Sequence, residues 1–515
     1  MTCTALTATL LCGAAIAYSG PAFAQDVPAA QEATEPDTSD ATADQAIAAA
    51  APIDDAAAKI ELLQAQVEAL QEAIDGLKAQ VTKVTPTWKG APQFDDKDAG
   101  WSFKPRGTLQ FDAGFVGYPD GRELRGTVGG LNYGNLGFNG RARRLLFGAE
   151  GTLPGGFRYS AEFNFAQGAV DYEDLILVYD LKNSPLSVQV GNFFPFSSLE
   201  TMTSSRFTSF LERVSFTDGF NYNRRLGVGL VLSDKKTDSY ILQAGIFSQP
   251  INEASFTRSG WQASLRGVYS PTVGNTRLHL GANVQHRKNN RESQAAQYRT
   301  RPLTQITDQR FIDTGNIAAR GDNTAGLEFG AIMKSLHIAA EAQKVWVRDA
   351  YSPADVLALN GQAGSNAAVP TGSLALNDDP SFTGGYFEAG FYLTGETRGY
   401  KNGRWDRTKV LKPFTDGGWG AFQINGRVDY LELRDRVADS ATVAAPFYVN
   451  GGRQLGYQAS LIWNPVDYVR LIAQYGHVDV TGGPRAASVD PTSTDPVNRR
   501  KFGVNTAAVR AQVDF

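Results

Sequence analysis

Nine arginines recur in segments of this sequence where polar and apolar residues alternate, and all nine fall on the polar side of the alternation. A period of two places alternate side chains on opposite faces of a β-strand, so these guanidinium groups are expected to share one face. The planar guanidinium donates paired hydrogen bonds to phosphate or carboxylate, which suits such a face to oxyanions. The nine residues are Arg106, Arg144, Arg158, Arg225, Arg266, Arg277, Arg427, Arg470 and Arg510.

Acidic side chains occur on the same predicted face and offer a second interpretation. Several arginines would then pair with carboxylates in a solvated wall, where each pair contributes little and leaves little preference for anions. Both interpretations stay open at the level of sequence. The acidic residues are Asp112, Glu150, Glu162, Asp429 and Asp514.

The sequence contains no motif that indicates catalysis or metal binding. The histidines are scattered without the spacing of metal ligands, and no Walker loop, HExxH or GxSxG motif occurs. We therefore predict no catalytic residue, no metal, no cofactor and no nucleic-acid partner. An enzyme would need an exposed Ser/His/acid constellation, for which histidine is too sparse. The four histidines are His279, His286, His337 and His477.

The alternation runs from Phe103 to Phe515 in roughly sixteen segments of about ten residues, a length typical of tilted membrane strands rather than of soluble sandwiches. No run approaches the roughly 20 apolar residues of a membrane helix. A closed barrel needs no such run, because only alternate residues meet lipid and closure leaves no unpaired edge. The pattern predicts an all-β fold, a sixteen-stranded antiparallel transmembrane barrel over residues 103–515 with the arginines facing its lumen.

The chain stops on "NTAAVRAQVDF", which is an alternating segment without a tail. We expect Phe515 to end the closing strand of the barrel and to be recognised by the outer-membrane assembly machinery. The expected location is the outer membrane of a Gram-negative bacterium.

Residues 1–102 differ from the rest in charge, with 15 acidic and 5 basic residues against 38 and 44 in the remainder. Residues 1–24 have the apolar run and Ala-Phe-Ala ending of a secretory signal peptide, although no basic residue precedes the run. Residues 25–58 are an acidic Ala- and Pro-rich linker with too few large apolar groups to fold. Residues 59–85 predict a short α-helical coiled coil in the periplasm, and residues 86–102 a second linker.

The coiled-coil prediction rests on eight apolar residues with alternating spacings of three and four. β-Branched residues at one heptad position with Leu at the other favour two strands. An amphipathic helix docked on the protein's own surface is the alternative. The eight residues are Ile60, Leu63, Val67, Leu70, Ile74, Leu77, Val81 and Val84.

The stretch from Arg141 to Leu230 resembles the phosphate-selective porin O/P family of Gram-negative outer membranes. The similarity lies in "RARRLLFGAEGTLPGGFRYSAEFNFA", then "LSVQVGNFFPFSSLETMTSSRFTSFLER" and "NRRLGVGL", in that order. The resemblance implies a trimer of sixteen-stranded barrels in which the loop after the fifth strand, here about residues 197–223, folds inward and narrows the pore. Residues that the loop would offer to an anion are Thr201, Thr203, Ser204, Ser205, Arg206 and Arg213.

One feature departs from the family pattern. Family members resemble each other in an arginine ladder that leads to a central lysine cluster, whereas the expected constriction loop here contains no lysine. Lys344, Lys401 and Lys412 follow in later segments that the sequence does not place in the pore. The preferred hypothesis is a passive channel for small anions such as phosphate. The alternative is a weakly selective general porin whose coiled coil tethers the cell envelope.

Overall fold

The computed structural model describes residues 53–84, 86–88, 90–122, 127–128, 131–132, 136–251, 260–290, 293–361, 369–437 and 448–515. Sixteen antiparallel strands form a closed barrel, which confirms the predicted fold class. The predicted signal peptide and most of the first linker lie outside the described residues.

The sixteen barrel strands are labelled β1 to β16 in chain order. Their bounds are β1 Trp101–Val116, β2 Gly137–Leu153, β3 Phe157–Asn164, β4 Asp171–Asp180, β5 Leu186–Phe193, β6 Arg225–Ser233, β7 Tyr240–Phe247, β8 Trp261–Tyr269, β9 Thr276–Lys288, β10 Ile312–Met333, β11 Leu336–Ala350, β12 Ser381–Tyr392, β13 Ala421–Asp435, β14 Val449–Val466, β15 Val469–Thr481 and β16 Lys501–Asp514. Shorter strands are Thr87–Trp88, Pro92–Asp96, Thr127–Val128, Leu131–Asn132, Thr272–Val273, Ala295–Thr300, Gly399–Lys401 and Arg404–Asp406. The helices are α1 Ile53–Val84, α2 Leu199–Met202, α3 Ser215–Gly219, α4 Pro353–Gly361 and α5 Ala486–Val489.

The final strand closes the barrel. β16 pairs with β1 from Thr506 opposite Val116 to Asp514 opposite Thr108. Beyond this register, the backbone N–H of Gly107 donates to the Phe515 carbonyl at 3.0 Å, and the N–H of Phe515 donates to the Gly107 carbonyl at 3.1 Å. The aromatic C-terminus therefore completes the ladder, as a closed sheet without free edges requires.

Alternation along the strands separates an apolar outer wall from a polar inner wall. In β16, Val509 is 55% exposed on the outside whereas its neighbour Arg510 is 1% exposed on the inside. Large apolar side chains such as Phe111 in β1 and Leu327 in β10 also point outward and are exposed. An outer membrane barrel presents this arrangement to lipid.

The connections differ between the two ends of the barrel. At one end the strands are joined by tight turns, such as residues 334–335 and 467–468, with residues 393–420 as the long exception. At the other end longer connections prevail, including residues 194–224 and 289–311. Short turns on one side and long loops on the other are typical of outer-membrane barrels.

Several of these connections fold into the barrel. We call residues 194–224 the constriction loop and residues 393–420 the inward hairpin. Phe216 and Phe220 of the constriction loop and Trp405 of the inward hairpin are buried in one hydrophobic cluster with residues of the wall, together with Tyr298 from the connection 289–311. Much of the lumen is therefore packed protein, with an apolar core of its own.

The N-terminal helix α1 is a single 32-residue helix. Its side chains at the heptad positions Ile60, Leu63, Val67, Leu70 and Ile74 are each at least 47% exposed. One chain with an exposed apolar stripe does not establish a coiled coil, which stays a prediction. Among the described helices, none is long and apolar enough to cross a membrane.

Replacement of Gly148 in β2 by alanine should weaken the barrel. A Cβ at this position would stand 1.9 Å from the carbonyl oxygen of Ala161, a backbone atom of the paired strand that cannot rotate away. We expect Gly148→Ala to lower the free energy of unfolding by about 1–3 kcal/mol, as overpacking does. Urea unfolding in lipid vesicles, followed by tryptophan fluorescence, measures this loss.

The matched control is Gly426→Ala in β13, where a Cβ would meet no atom within 4 Å. This variant should keep the stability of the parent protein. Equal losses in the two variants would contradict the steric account.

Candidate functional site

The beginning of the constriction loop is fixed by a carboxylate of the opposite wall. Glu341 in β11 accepts the backbone N–H groups of Leu199 and Glu200 at 2.9 and 2.8 Å and the hydroxyl of Tyr386 at 2.9 Å. Ser198 precedes α2 and accepts the N–H of Thr201 at 3.2 Å. The first turn of α2 thus receives acceptors for N–H groups that a helix leaves unpaired.

The middle of the loop is held by buried arginines of the wall. Arg427 donates to Glu388 at 2.6 Å, to Glu200 at 3.1 Å and to the carbonyl of Glu212 at 3.2 Å. Arg470 donates to the carbonyl of Thr208 at 2.9 Å and also to that of Arg206. Both guanidinium groups therefore hold the loop against the wall.

Arg510 completes this set of anchors together with Glu212 of the loop. Its guanidinium contacts Asp112 at 2.6 Å and Glu212 at 2.9 Å. Arg143 contacts Glu212 at 2.8 Å, and Arg144 lies 3.9 Å away. Burial alone would raise the pKa of Glu212, but Arg143, Arg144 and Arg510 outweigh burial and hold this pKa well below its usual range. Glu212 therefore stays ionised and keeps the arginines in place.

The inward hairpin has its own anchors on the wall. Arg266 donates to Glu328 at 2.7 Å and to the carbonyl of Gly403 at 2.8 Å. His279 lies 2.7 Å from the Tyr400 hydroxyl and 3.1 Å from Glu328. The tip of the hairpin is thus fastened to β8, β9 and β10.

The two inward segments also contact each other. Arg404 donates to the carbonyl of Met202 at 3.3 Å, and the backbone N–H of Trp405 donates to the Thr203 hydroxyl at 3.3 Å. Arg398 donates to the carbonyl of Phe207 at 2.6 Å and to the Ser209 hydroxyl at 2.7 Å. The hairpin and the constriction loop therefore form one joint structure inside the barrel.

Beside this structure lies a cavity of about 1370 Å³. Its walls come mostly from β1–β7, the constriction loop and the inward hairpin. Fifteen basic and eight acidic side chains line it, which leaves an excess of seven positive charges. The acidic ones are Glu150, Glu162, Glu173, Asp174, Asp180, Glu212, Asp218 and Asp406.

The predicted site residues divide into two groups in the structure. Those that line the cavity are Arg106, Arg144, Arg158, Arg266, Arg206, Arg213, Thr201, Thr203, Ser204 and Ser205. Those outside its lining are Arg225, Arg277, Arg427, Arg470 and Arg510. In the second group, Arg225 and Arg277 donate to backbone carbonyls near the strand ends, and the other three are the loop anchors. An arginine side chain that points into the barrel therefore does not always line the cavity.

Several cavity arginines pair with the carboxylates that the sequence placed on the same face. Arg106 contacts Glu150 at 2.7 Å, and Arg206 contacts Glu162 and the Thr108 hydroxyl. Such pairs neutralise part of the positive charge of the wall.

Nine basic residues of the cavity were not among the predicted ones. They are Lys104, Arg143, Arg224, Lys235, Arg299, Arg310, Lys401, Arg404 and Arg407. The sequence did contain a signal for the hairpin that brings three of them, Lys401, Arg404 and Arg407, inside. Asn402 and Gly403 have φ of 52° and 68°, and Asn-Gly is the strongest short hairpin signal.

Arg213 and Arg404 line the cavity, and among the described residues neither has a carboxylate within ion-pair distance. Arg213 donates to the carbonyls of Glu200 and Thr203 at 3.1 and 2.6 Å, and Arg404 to that of Met202. Both therefore flank α2 at the point where the two inward segments meet. Burial lowers the pKa of the Arg213 guanidinium, as expected for a charge that lacks a close counter-ion.

No group of three or more His, Cys, Asp or Glu residues suited to a metal ion occurs in the described part of the chain. The lining of the cavity offers hydrogen-bond donors and positive charge.

Comparisons with known proteins agree with this architecture. The family described as phosphate-selective porin O and P matches residues 123–515. A protein of Caulobacter vibrioides described as uncharacterized is 35% identical over 439 residues, covering 83% of this chain and 77% of its own length. Porin O of Pseudomonas aeruginosa is 26% identical over 408 residues, covering 75% of this chain and 85% of its own. Among solved structures, the trimer form of OmpT from Vibrio cholerae superposes with a TM-score of 0.44 at 11% identity, over 81% of this chain and 100% of that one.

Loss of a buried anchor should cost far more stability than loss of an exposed pair. The Arg427 side chain is 0% exposed, and Arg427→Met would leave the buried carboxylates of Glu388 and Glu200 without their positively charged partner. We expect a loss of about 3–5 kcal/mol in the free energy of unfolding. Urea unfolding in lipid vesicles measures it.

Arg158→Met is the control, because that side chain is 50% exposed where it pairs with Asp180. It should cost less than about 1 kcal/mol. If both variants lost the same stability, the anchoring role of Arg427 would be wrong.

Proposed function

Since the chain belongs to the phosphate-selective porin O and P family, we propose that it passes small anions, among them phosphate and other oxyanions, by passive diffusion. The protein is a β-barrel porin of the outer membrane of a Gram-negative bacterium. The long loops face the outside of the cell, and the short turns face the periplasm.

The observation that carries the proposal is the charge of the cavity. Its lining has an excess of seven positive charges. An anion that enters the cavity loses hydration, and guanidinium and ammonium groups replace it, whereas a cation meets repulsion. The same potential draws anions toward the mouth of the channel.

The proposed contact site lies beside α2. Arg213 and Arg404 each spend some N–H groups on carbonyls of residues 200–203, and the remaining donors are available to a solute. The hydroxyls of Ser204 and Ser205 line the same cavity. Two guanidinium groups that both contact residues 200–203 suit an oxyanion better than a monatomic ion, because each fork can donate two hydrogen bonds to neighbouring oxygens.

Passage requires that the anion leaves again. Neighbouring arginines such as Arg106 and Arg206 are already paired with Glu150 and Glu162. They therefore do not form a second site that binds the anion tightly. Weak, successive contacts favour conduction over trapping. The residues act as binding steps in this account, and no bond of the solute is made or broken.

We also propose a homotrimer in which three α1 helices associate. The exposed apolar stripe of α1 supports association, because the side chains of Leu63, Leu70 and their heptad neighbours are exposed to solvent on the single helix. Sedimentation of the purified protein should give the mass of three chains, and deletion of residues 53–84 should lower trimer stability. Dimers as the only species would contradict this arrangement.

Neutralisation of the two cavity arginines should weaken phosphate binding in the channel. In a planar bilayer under a salt gradient, the reversal potential of the parent protein should have the sign of an anion-selective channel. Phosphate should block its chloride current. Arg213→Gln with Arg404→Gln should raise the blocking concentration about tenfold or more, which corresponds to about 1.4 kcal/mol of lost binding.

A charge-matched control replaces two cations outside the cavity lining, Lys182→Gln with Lys412→Gln. Its phosphate block should equal that of the parent. The proposal would be overturned if the reversal potential of the parent protein had the sign of a cation-selective channel. It would also be overturned if phosphate blocked both double variants equally.

A further inference from the structure

A second cavity of about 780 Å³ lies on the outer wall of the barrel, across β8 to β11 near the long-loop end. We propose that this groove binds the phosphorylated head group of an anionic lipid from the outer leaflet. Its lining includes Ala263, His286, Ala325, Trp346 and Arg348. The site is separate from the lumen and from the anion route described above.

Strand register brings basic side chains to both sides of the groove. Lys288 of β9 and Arg348 of β11 lie opposite Gly321 of β10 from its two sides. Four residues from Arg348 toward the middle of the membrane, Lys344 of β11 lies opposite Ala325. Neighbouring strands are about 4.8 Å apart, so the backbones that carry Lys288 and Arg348 are separated by roughly 10 Å, a span that two long side chains bridge around one phosphate.

The floor of the groove is formed by small residues. Gly321 has to be glycine, since a Cβ there would stand 2.0 Å from the carbonyl oxygen of Arg287. Ala325 continues the floor, and His286 and Asn323 are joined by a 2.7 Å hydrogen bond beside it. The gap between the basic side chains is therefore a fixed feature of the sheet.

These basic groups have no acidic partner among the described residues. Lys288 and Arg348 are exposed, and Lys344 contacts the Trp346 ring at 5.4 Å. Elsewhere on the outer wall the charged pair Glu432 and Arg434 is internally neutralised at 2.7 Å. Asp379 is the acidic residue in the groove lining, and its carboxylate accepts the backbone N–H of Ala350 at 2.8 Å. The lining itself holds Arg348 and Asp379, and the net positive charge comes from Lys288 and Lys344, which border the groove on β9 and β11.

The position of the groove identifies its occupant. Trp261 and Trp346 border it, and tryptophan in a membrane barrel marks the level of lipid head groups. Just below, Leu265, Val284 and the 68% exposed Leu327 form an apolar surface for acyl chains. A second copy of this chain is a poor match for the groove, because unpaired positive charges at a packed interface would each need a buried partner.

Lipid binding can be counted directly. Purified, delipidated full-length protein in a non-ionic detergent is titrated with bisphosphorylated lipid A, and bound lipid is measured by native mass spectrometry. The parent should retain one lipid per chain, and dephosphorylated lipid A should bind at least tenfold more weakly. Lys288→Gln, Lys344→Gln and Arg348→Gln together should weaken the phosphorylated lipid at least tenfold, while chloride conductance stays unchanged.

The control removes three positive charges elsewhere, with Lys182→Gln, Lys412→Gln and Lys501→Gln, and should bind like the parent. Inorganic phosphate at the same concentration should not displace the lipid. Equal binding of both lipid forms, or unchanged binding by the groove variant, would overturn the proposal. So would a groove variant that keeps its lipid but falls apart into single chains, because the groove would then be an interface between copies.

Discussion

The channel depends on buried ion pairs that join the barrel wall to the segments inside it. Arg427 with Glu388 and Glu200, Arg510 with Asp112 and Glu212, and Glu341 with the N–H groups of α2 hold the constriction loop from several strands. Buried pairs contribute little net stability compared with apolar packing, but removal of one partner is costly. Their effect is to select one position for the loop, and the position of the loop defines the passage.

This arrangement assigns two roles to one residue type. Arg427 and Arg510 pair with buried carboxylates, and Arg470 holds loop carbonyls away from the cavity lining, so these three are structural. Arg213 and Arg404 also donate to backbone carbonyls, but they line the cavity and are proposed to contact the solute. The difference lies in the partners and in access to the cavity, not only in the direction of the side chain. Net positive charge in the cavity then follows from a small set of cations that the wall does not neutralise.

The sequence predicted the wall better than the contents of the lumen. Alternation at period two predicted a barrel of sixteen strands and the closing role of Phe515, since burial on one face of a sheet leaves a direct trace in the residue pattern. The same pattern could not distinguish Arg158, which meets water, from Arg470, which meets the loop. That distinction depends on contacts between distant segments, and only the Asn402-Gly403 pair hinted at the inward hairpin.

The most direct test of the account is a crystal structure of the protein soaked with arsenate, a phosphate analogue whose anomalous scattering locates it without ambiguity. The account predicts an anomalous peak within hydrogen-bond distance of Arg213 and Arg404 beside α2, and none at Arg427, Arg470 or Arg510. A peak at one of the three anchors, or an empty site between Arg213 and Arg404 at saturating arsenate, would contradict it.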